Sequence, residues 1–292
     1  MATNVEKDTV SGQYTTGHEW DGIKELNTPL PKWWVWVFLA TIVWAIGYWI
    51  VYPSWPTMHG YWSGTFGWHA RSQLVQDQEK ANAAKQVYLS KIKNASLEDI
   101  VKDPDLLNFA LAGGASVFKD TCAACHGVGG VGGYGFPALA SDHWLWGGTL
   151  DEIKTTITYG VRNANPNSHQ SVMPAFGGGD ALNDAQLSDL AEYVLSLSHS
   201  SKDAAAATRG KAIFTNNNCY ACHGAAGEGN TAVGAPALAS GLWLYKGKDQ
   251  KAEIISQVKH PKMGAMPAWS ERFNDTTIKE LAVYVHSLGG GK

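Results

Sequence analysis

The residues with the clearest chemistry are four cysteines, grouped in two Cys-x-x-Cys-His motifs that begin at Cys122 and Cys219. The 292-residue chain holds no other cysteine. Two thiols three positions apart, followed directly by a histidine, form the attachment signature of c-type haem. The thiols bond covalently to the two vinyl groups, and the imidazole faces the iron. The sequence therefore predicts two covalently bound haem c groups, attached at Cys122, Cys125, Cys219 and Cys222.

Three other interpretations of paired cysteines fit this sequence less well. A zinc site combines two Cys-x-x-Cys knuckles or adds a His pair at finger spacing, whereas these knuckles lie 97 residues apart. A thioredoxin-like motif belongs in a βαβ pattern, which the Gly- and Ala-rich flanks do not resemble. A disulfide across two residues is strained. Haem attachment is therefore the interpretation that we adopt.

The sequence after each motif is repeated in the same order. GFPALAS at 135–141 returns as GAPALAS at 234–240, and MPAF at 173–176 returns as MPAW at 266–269. Each copy closes with an amphipathic helical pattern, first LSDLAEYVLSL and then IKELAVYVHSL. Landmarks that recur in one order indicate two copies of one small domain. The predicted fold is therefore all-α, with two tandem class I cytochrome c-like domains.

The repeated Met-Pro string supplies the second iron ligand expected of an electron carrier. Low-spin haem needs two strong axial ligands, and a His–Met pair gives a higher reduction potential than two imidazoles. We predict that His126 and Met173 bind the first haem iron, and that His223 and Met266 bind the second. Met263 lies on the same loop as Met266 and is the alternative ligand of the second iron.

Other histidines and the repeated prolines complete the predicted sites. His143 and His169 at the first iron, and His260 at the second, are weaker candidates because a lone loop histidine usually faces solvent. Pro137 and Pro236 stand where a backbone carbonyl could accept a hydrogen bond from Nδ1 of the proximal histidine. Such a bond would fix the tautomer that leaves Nε2 for the iron.

Glycines and aromatic residues also recur around the motifs. Glycine permits positive backbone φ angles where the chain bends around a flat ring. Aromatic side chains are expected to wall the haem pockets, since haem is most of the core in a domain this small. The glycines are Gly127, Gly129, Gly130, Gly224, Gly227 and Gly229. The aromatic residues are Trp144, Trp146, Phe176, Trp243, Tyr245 and Trp269.

The segment 33–52 is strongly apolar. It reads WWVWVFLATIVWAIGYWIVY and contains no Asp, Glu, Lys or Arg. Its length matches the hydrocarbon core of a bilayer, and Trp or Tyr stands at both ends. It is longer than a signal-peptide h-region and has no small-residue cleavage site. We predict an uncleaved transmembrane anchor in the lipid bilayer; a buried helix of a soluble protein is the alternative.

The anchor and the haem motifs together define an expected organisation. Because haem c is attached outside the cytoplasm, we expect a single-pass protein of the bacterial inner membrane, with a cytoplasmic N-terminus and periplasmic haem domains. The expected segments are a head at 1–32, the anchor at 33–52, an interfacial stretch and linker helix at 53–103, the first cytochrome c domain at 104–200 and the second at 206–290. The short joint between the domains, SHSSKDAAAA at 198–207, predicts two neighbouring haems.

The two repeats differ in charge. Residues 104–200 carry 3 basic and 9 acidic side chains, and residues 201–292 carry 11 basic and 7 acidic side chains. The net charges are therefore −6 and +4. Complementary fields chiefly raise association rates, so the acidic repeat could attract a basic donor cytochrome through Asp180, Asp184 and Asp189. A solvated surface is the other explanation of such a charge run.

These features together resemble a known family. The head HEWDGIKELNTPLP at 18–31, one Trp-rich span, and two Cys-x-x-Cys-His units followed by MPAF and GAMPAW are similar to the di-haem subunit of cbb3-type cytochrome c oxidases, called CcoP or FixP. The resemblance covers nearly the whole chain. Its most specific part is the head, because tandem haem motifs occur in many di-haem cytochromes. The resemblance implies the same attachment and axial-ligand roles as those predicted above.

The resemblance also implies a respiratory function. In that family this subunit takes electrons from a quinol-oxidising complex, often through a soluble or membrane-anchored donor cytochrome c. It passes them to a mono-haem subunit and then to the catalytic subunit, which reduces oxygen to water. We therefore expect an electron-transfer subunit of an oxidoreductase complex, without a catalytic site of its own and without a nucleic-acid partner.

Two alternatives remain open at the level of sequence. One is a free-standing, membrane-anchored di-haem shuttle that serves several periplasmic reductases. The other is a haem enzyme or gas sensor, which requires an open axial position at one iron.

Overall fold

The computed structural model describes residues 4–177 and 182–290 and divides into two compact units, 1–84 and 85–292. Asp180, which we proposed as a docking acid, lies outside the described residues. The predicted helical fold with one apolar N-terminal helix is confirmed. Short β-hairpins in the first unit add to it.

The N-terminal head contains a hairpin of strands β1 (Thr15–Trp20) and β2 (Ile23–Leu26). Its turn is Asp21-Gly22, with φ angles of 50° and 84°. Positive φ at both central residues is typical of the tight turn that matches the twist of two antiparallel strands, and Asp-Gly is a preferred pair there. The sequence analysis missed this element, although the Asp-Gly pair signals it.

Helix α1 (Lys32–Val51) is the apolar helix of the first unit. Its mean hydropathy reaches 1.9, and none of its side chains is buried within the protein. Twenty residues at 1.5 Å each span roughly 30 Å, the thickness of a bilayer's hydrocarbon core. A second hairpin, β3 (Pro56–Thr57) and β4 (Gly60–Tyr61), follows it. The helix is therefore long and apolar enough to cross a membrane.

The remaining α-helices lie between residues 70 and 287, the part of the chain that contains both haem motifs. They are α2 (Ala70–Asn94), α3 (Leu97–Lys102), α4 (Pro104–Val117), α5 (Ala123–His126), α6 (Leu150–Tyr159), α7 (Asp184–Leu197), α8 (Ala204–Asn216), α9 (Tyr220–His223), α10 (Gln250–Lys259) and α11 (Asp275–Ser287). The motif helices α5 and α9 each form one turn.

Side-chain caps explain where the helices next to the first motif begin. Ser96 accepts a hydrogen bond from the Asp99 amide at 3.1 Å, and Asp103 caps α4, whose first residue is Pro104. Ser and Asp favour the cap position and Pro the first turn, so the sequence itself marks both starts. These caps direct α4 toward the first haem motif.

A first lobe forms where α3, α4, α6 and α11 pack together. Its core includes the fully buried side chains of Ile100, Phe118 and Leu281. Helices α4 and α11 cross closely at Gly114, where an added Cβ would lie 2.4 Å from the carbonyl oxygen of Glu280. The first lobe thus joins the helix before the first motif to the last helix of the chain.

A second lobe forms where α7, α8 and α10 pack together. Leu187 and Phe214 lie in its core, and Tyr193 meets the Phe214 ring edge-on at 5.2 Å. Helices α7 and α8 cross at Gly210, where an added Cβ would lie 2.1 Å from the carbonyl oxygen of Asp189. The second lobe thus contains the closing helix of the first repeat.

The lobes therefore differ from the sequence repeats. We expected each closing helix to complete its own repeat, yet α7 packs on α8 of the second repeat, and α11 packs on α4 of the first. Both helices carry the same apolar pattern, so the pattern allows either helix to pack in either lobe. Contacts between residues far apart in the sequence determine which lobe each helix completes. The predicted joint at 198–207 consequently links two helices of one lobe and is not a connection between lobes.

The exchange leaves an unusual carboxylate on α11. Glu280 is 6% exposed, and its Oε1 is buried without a hydrogen-bond partner among the described residues. At the corresponding place in the second lobe, Asp189 pairs with Arg209 at 2.6 Å, whereas Glu280 faces Gly113. Burial raises the pKa of Glu280 to about 7, and the positive charge of Lys85 opposes that rise.

This carboxylate should make stability depend on pH. The folded chain keeps the Glu280 proton up to about pH 7, whereas the unfolded chain releases it near 4.5. The folded state binds more protons in that window, so its contribution to the free energy of unfolding falls as pH rises. We expect Glu280→Gln to stabilise the chain at pH 7.5 by about 1–2 kcal/mol, a value reduced by solvent screening, and to change little at pH 4.5.

Urea denaturation of both proteins at the two pH values measures this difference. Glu271→Gln is the matched control, because Glu271 is an exposed acid in the short turn before α11. A stabilisation by Glu280→Gln that is equal at both pH values would contradict a buried, titrating carboxylate.

Candidate haem sites

Two cavities open beside the two Cys-x-x-Cys-His motifs, both within the unit 85–292. Their volumes are about 1280 and 1560 Å³, including the space toward solvent. Most of their lining side chains are apolar, as in sites that bind small molecules and cofactors. Both cavities therefore suit a flat cofactor with a large apolar surface.

The first cavity contains the complete first motif. Cys122, Cys125 and His126 line it on one side, and Met266 lines it as well. Trp144, Trp146 and Trp269 contribute aromatic walls, as predicted for these three residues. Helices α6 and α11 add aliphatic side chains to the lining, among them Ile153, Ile157, Leu281 and Val285.

The second cavity repeats this arrangement around the second motif. Cys219, Cys222 and His223 line it together with Met173. Its aromatic residues are Phe176, Trp243 and Tyr245, which were predicted, and Phe214, which was not. Met263, the alternative ligand, lines this cavity too, and it is 41% exposed.

The structure thus brings each methionine to the other repeat's histidine. We predicted His126 with Met173 and His223 with Met266, but Met266 lines the cavity of His126, and Met173 lines that of His223. This pairing follows from the exchange of α7 and α11, because each Met-Pro loop lies just before one of these helices in the sequence. The sequence-based pairing therefore differs from the pairing in the structure.

Backbone contacts hold the exchanged loops in place. The amide of Val161 donates to the carbonyl of Met266 at 3.0 Å, and the Met266 amide donates back to Val161 at 2.8 Å. Asn163 Nδ2 adds a bond to the Met266 carbonyl at 2.7 Å. On the other side, the Phe176 amide donates to the Val258 carbonyl at 3.0 Å. Each loop is thus anchored to the other repeat by ordinary hydrogen bonds.

Both motif histidines present a free Nε2. Nδ1 of His126 lies 3.0 Å from the carbonyl oxygen of Pro137, and Nδ1 of His223 lies 3.1 Å from that of Pro236. A carbonyl only accepts, so Nδ1 carries the proton and Nε2 keeps its lone pair. Burial lowers the pKa of both histidines, partly offset by these bonds. The predicted proline contacts are confirmed, and they suit iron ligation by neutral imidazole.

The thiols are poorly suited to a zinc site. Burial, with a smaller effect of the neighbouring Cys125, raises the pKa of Cys122 to about 11. Burial also raises the pKa of Cys219. Structural zinc takes four protein ligands, and among the described residues no group of three or more His, Cys, Asp or Glu side chains could hold a metal ion. Cysteines beside a large apolar cavity therefore fit thioether attachment of haem better.

A glycine follows each motif where a side chain would be strained. Gly127 and Gly224 have φ angles of 76° and 81° and end the one-turn helices that carry the histidines. Positive φ at the end of a helix favours glycine. The positive φ angles predicted for the other repeated glycines are also present.

The weaker histidine candidates are placed differently. His169 stacks on Trp146 at 4.4 Å and contacts Thr156 Oγ1 at 3.0 Å, and neither His169 nor His260 lines a cavity. His143 lines the first cavity beside Asp142, at 3.5 Å from its Oδ1. The methionines and His143 therefore line the two cavities, whereas His169 and His260 line neither.

Two of the proposed docking acids pair within the chain. Asp184 contacts Lys259 at 2.5 Å, and Arg209 reaches both oxygens of Asp189 at 2.6 and 2.7 Å. Carboxylates that are paired in this way contribute little to the electrostatic attraction of an approaching protein. These pairs weaken the proposal that the two acids attract a donor.

The two cavities adjoin each other. Leu145, Arg162, Leu244 and Gly264 line both. A hydrogen bond also links their walls: the amide of Gly135, which lines the first cavity, donates to the carbonyl of Leu244 at 2.7 Å. Cofactors in these cavities would therefore be neighbours.

Family models match three consecutive parts of the chain. A model described as the N-terminal domain of cytochrome oxidase-cbb3, FixP, matches residues 12–59. A cytochrome c model matches residues 111–198, and a model of cbb3-type cytochrome C oxidase subunit III matches residues 205–285. Two cytochrome c domains in tandem, as predicted, are thereby confirmed, and such domains imply covalently bound haem c.

Curated relatives match the chain over nearly its whole length. A cbb3-type cytochrome c oxidase subunit CcoP from Azospirillum brasilense is 50% identical over 98% of this chain and 99% of its own. FixP subunits from Azorhizobium caulinodans and from Bradyrhizobium sp. are also 50% identical. These alignments cover 98% and 100% of this chain, and 96% and 100% of the relatives.

Proposed function

Because the chain belongs to the CcoP/FixP family of cbb3-type cytochrome c oxidase subunits, we propose that it is the electron-input subunit of such an oxidase. It accepts electrons from a donor cytochrome c or a quinol-oxidising complex and relays them to the catalytic subunit that reduces oxygen to water. The observation that supports this role best is the pair of adjoining cavities, each with a complete haem motif and a methionine.

The proposed cofactors are two haem c groups. Cys122 and Cys125 attach the first, and Cys219 and Cys222 attach the second. Haem supplies reversible one-electron chemistry when bound. The chain's own residues enclose it in apolar walls and orient each proximal imidazole through a proline carbonyl.

The proposed axial pairs follow the structure rather than the repeats. His126 and Met266 serve the first iron, and His223 and Met173 serve the second. Met173 is preferred over Met263 because it occupies, in the second lobe, the place that Met266 has in the first. Two strong ligands at each iron leave no open position, so the chain transfers electrons and has no oxygen-reducing site of its own.

The proposed setting is the bacterial inner membrane. Helix α1 anchors the chain in the lipid bilayer, with the head 1–32 in the cytoplasm and the haem domains in the periplasm, where haem c is attached. The catalytic and mono-haem subunits are the proposed partners. The sequence division into 104–200 and 206–290 describes the two repeats, and the lobes exchange their closing helices across it.

Removal of either haem should stop electron transfer through the complex. We expect Cys122→Ala/Cys125→Ala and Cys219→Ala/Cys222→Ala each to lose one covalent haem and to lower oxygen uptake by at least about tenfold, since an electron-transfer step cannot be bypassed without a cofactor. The measurement is haem staining, haem quantification and oxygen uptake on the detergent-purified complex.

The matched control is Met58→Ala, which changes a 96% exposed side chain outside the haem unit. If this chain purifies from membranes without other oxidase subunits, the free-standing shuttle is the better interpretation. Full oxygen uptake by a complex that lacks one haem would exclude that haem from the electron path.

A further inference from the structure

One charged side chain lies between the two cavities. Of the four residues that line both, Leu145, Leu244 and Gly264 carry no charge, and Arg162 is a permanent cation. In the first cavity, no other described lining residue is permanently charged. Because this cation belongs to the lining of both cavities, it can interact with a cofactor in each of them.

The backbone fixes the position of this arginine. Arg162 has a φ angle of 48°, in the left-handed region, and its amide donates to the His169 carbonyl at 2.8 Å. A non-glycine residue in this region is strained. Such strain persists only where surrounding contacts impose it. The adjacent Val161 pairs with Met266, so the segment is held at the first cavity by the exchanged loop.

The side chain is only partly satisfied by the protein. Nε donates to the Gly264 carbonyl at 2.7 Å. Among the described residues, no carboxylate forms a salt bridge with the two terminal amino groups. Burial lowers the pKa of Arg162, and Tyr245 opposes that shift. A guanidinium stays charged in proteins, so a half-buried one calls for an anion.

We propose that Arg162 is a shared partner for the propionate carboxylates of both haems, and that its charge sets both reduction potentials. This inference rests on the proposed two-haem function. Each haem carries two propionates, which are planar carboxylates that a guanidinium fork matches. The remaining N–H donors of Arg162, at the boundary of both cavities, are the groups that would bind them.

The sign of the effect follows from electrostatics. Oxidation leaves each haem with one more positive charge, and a nearby cation disfavours that state. The same cation also neutralises a propionate whose negative charge would favour oxidation. Both effects raise the potential, so removal of the Arg162 charge should lower the potential of both haems together.

Redox titration of the purified full-length chain, followed by haem absorbance, tests this proposal. We expect Arg162→Gln to lower both midpoint potentials, each by about 59 mV, which corresponds to a tenfold change in the equilibrium constant of a one-electron couple. Arg162→Lys keeps the charge without the fork, so it should lower both potentials by a smaller amount. Lys246→Gln is the control, because Lys246 is exposed and lines neither cavity.

The outcomes separate this proposal from the proposed function. If both potentials stay unchanged, or only one moves, while haem staining shows two bound haems, Arg162 is not a shared partner and the two-haem function stands. If the unsubstituted chain binds fewer than two haems, the function itself fails. Should Arg162→Gln not fold, Arg162→Met takes its place because it also removes the charge: potentials equal to those of the unsubstituted chain overturn the proposal.

Discussion

Replacement of Met266 by alanine is expected to lower the reduction potential of the haem attached at Cys122 and Cys125, and to leave the other haem nearly unchanged. Met266 lines the cavity of His126, although it belongs to the second sequence repeat. Thioether ligation raises haem potentials. Its loss should cost on the order of 0.1–0.3 V, a fraction of the ~0.8 V range that axial ligands set.

The same variant should gain an open axial position. We expect roughly one equivalent of carbon monoxide to bind the reduced Met266→Ala chain, because alanine offers no ligand. The unsubstituted chain should bind little. Redox titration and carbon monoxide difference spectra of the purified chain measure both effects.

Met173→Ala should give the reciprocal result at the haem attached at Cys219 and Cys222. Met263→Ala is the matched control, since Met263 also lines the second cavity but is more exposed. If Met263→Ala lowers a potential and Met173→Ala does not, Met263 is the ligand of the second iron. In that case the second site would use a methionine of its own repeat.

The close helix crossing in the first lobe gives a second large effect. We expect Gly114→Ala to lower the free energy of unfolding by about 2–3 kcal/mol, even though alanine favours helix. The added Cβ would lie 2.4 Å from the Glu280 carbonyl oxygen and 2.6 Å from Tyr284 Cβ. Neither atom can move without shifting α11 away from α4. Denaturant unfolding of the purified chain measures the loss.

The neighbouring glycine provides the control for this prediction. At Gly113 an added Cβ would meet Glu280 Oε2 at 2.8 Å, which is the far end of a flexible side chain. Gly113→Ala should therefore be neutral or stabilising by up to about 1 kcal/mol through helix propensity. If both substitutions change stability equally, α4 does not cross α11 at Gly114.

Much of the candidate site could be predicted because its signals are local. The spacing of Cys122, Cys125 and His126 carries its own chemistry. The proline carbonyl lies eleven residues after His126, on a loop whose positive-φ glycines are visible in the sequence. Ser96 and Asp103 mark helix starts by the same local chemistry.

The pairing of the two halves could not be predicted, because the repeat is symmetric. The apolar faces of α7 and α11 share one pattern, so either helix could complete either lobe. The choice depends on contacts between distant residues, such as the paired backbone bonds of Val161 and Met266. No local propensity specifies a contact over more than a hundred residues of sequence.

The exchange has a functional consequence. Each haem pocket contains residues of both repeats, so neither pocket is complete without the other. The cavities also share Arg162 and three uncharged residues. In the proposed two-haem subunit, an electron that enters one haem would therefore have a neighbouring acceptor within the same folded unit.

The most direct test uses chains that retain a single haem. In the Cys219→Ala/Cys222→Ala background, only the haem at Cys122 and Cys125 remains, and its absorption and magnetic circular dichroism spectra report the methionine ligand. We predict that Met266→Ala abolishes the methionine signature in this background and that Met173→Ala leaves it intact. The opposite result, in which Met173→Ala removes the signature and Met266→Ala does not, would contradict the exchanged pairing.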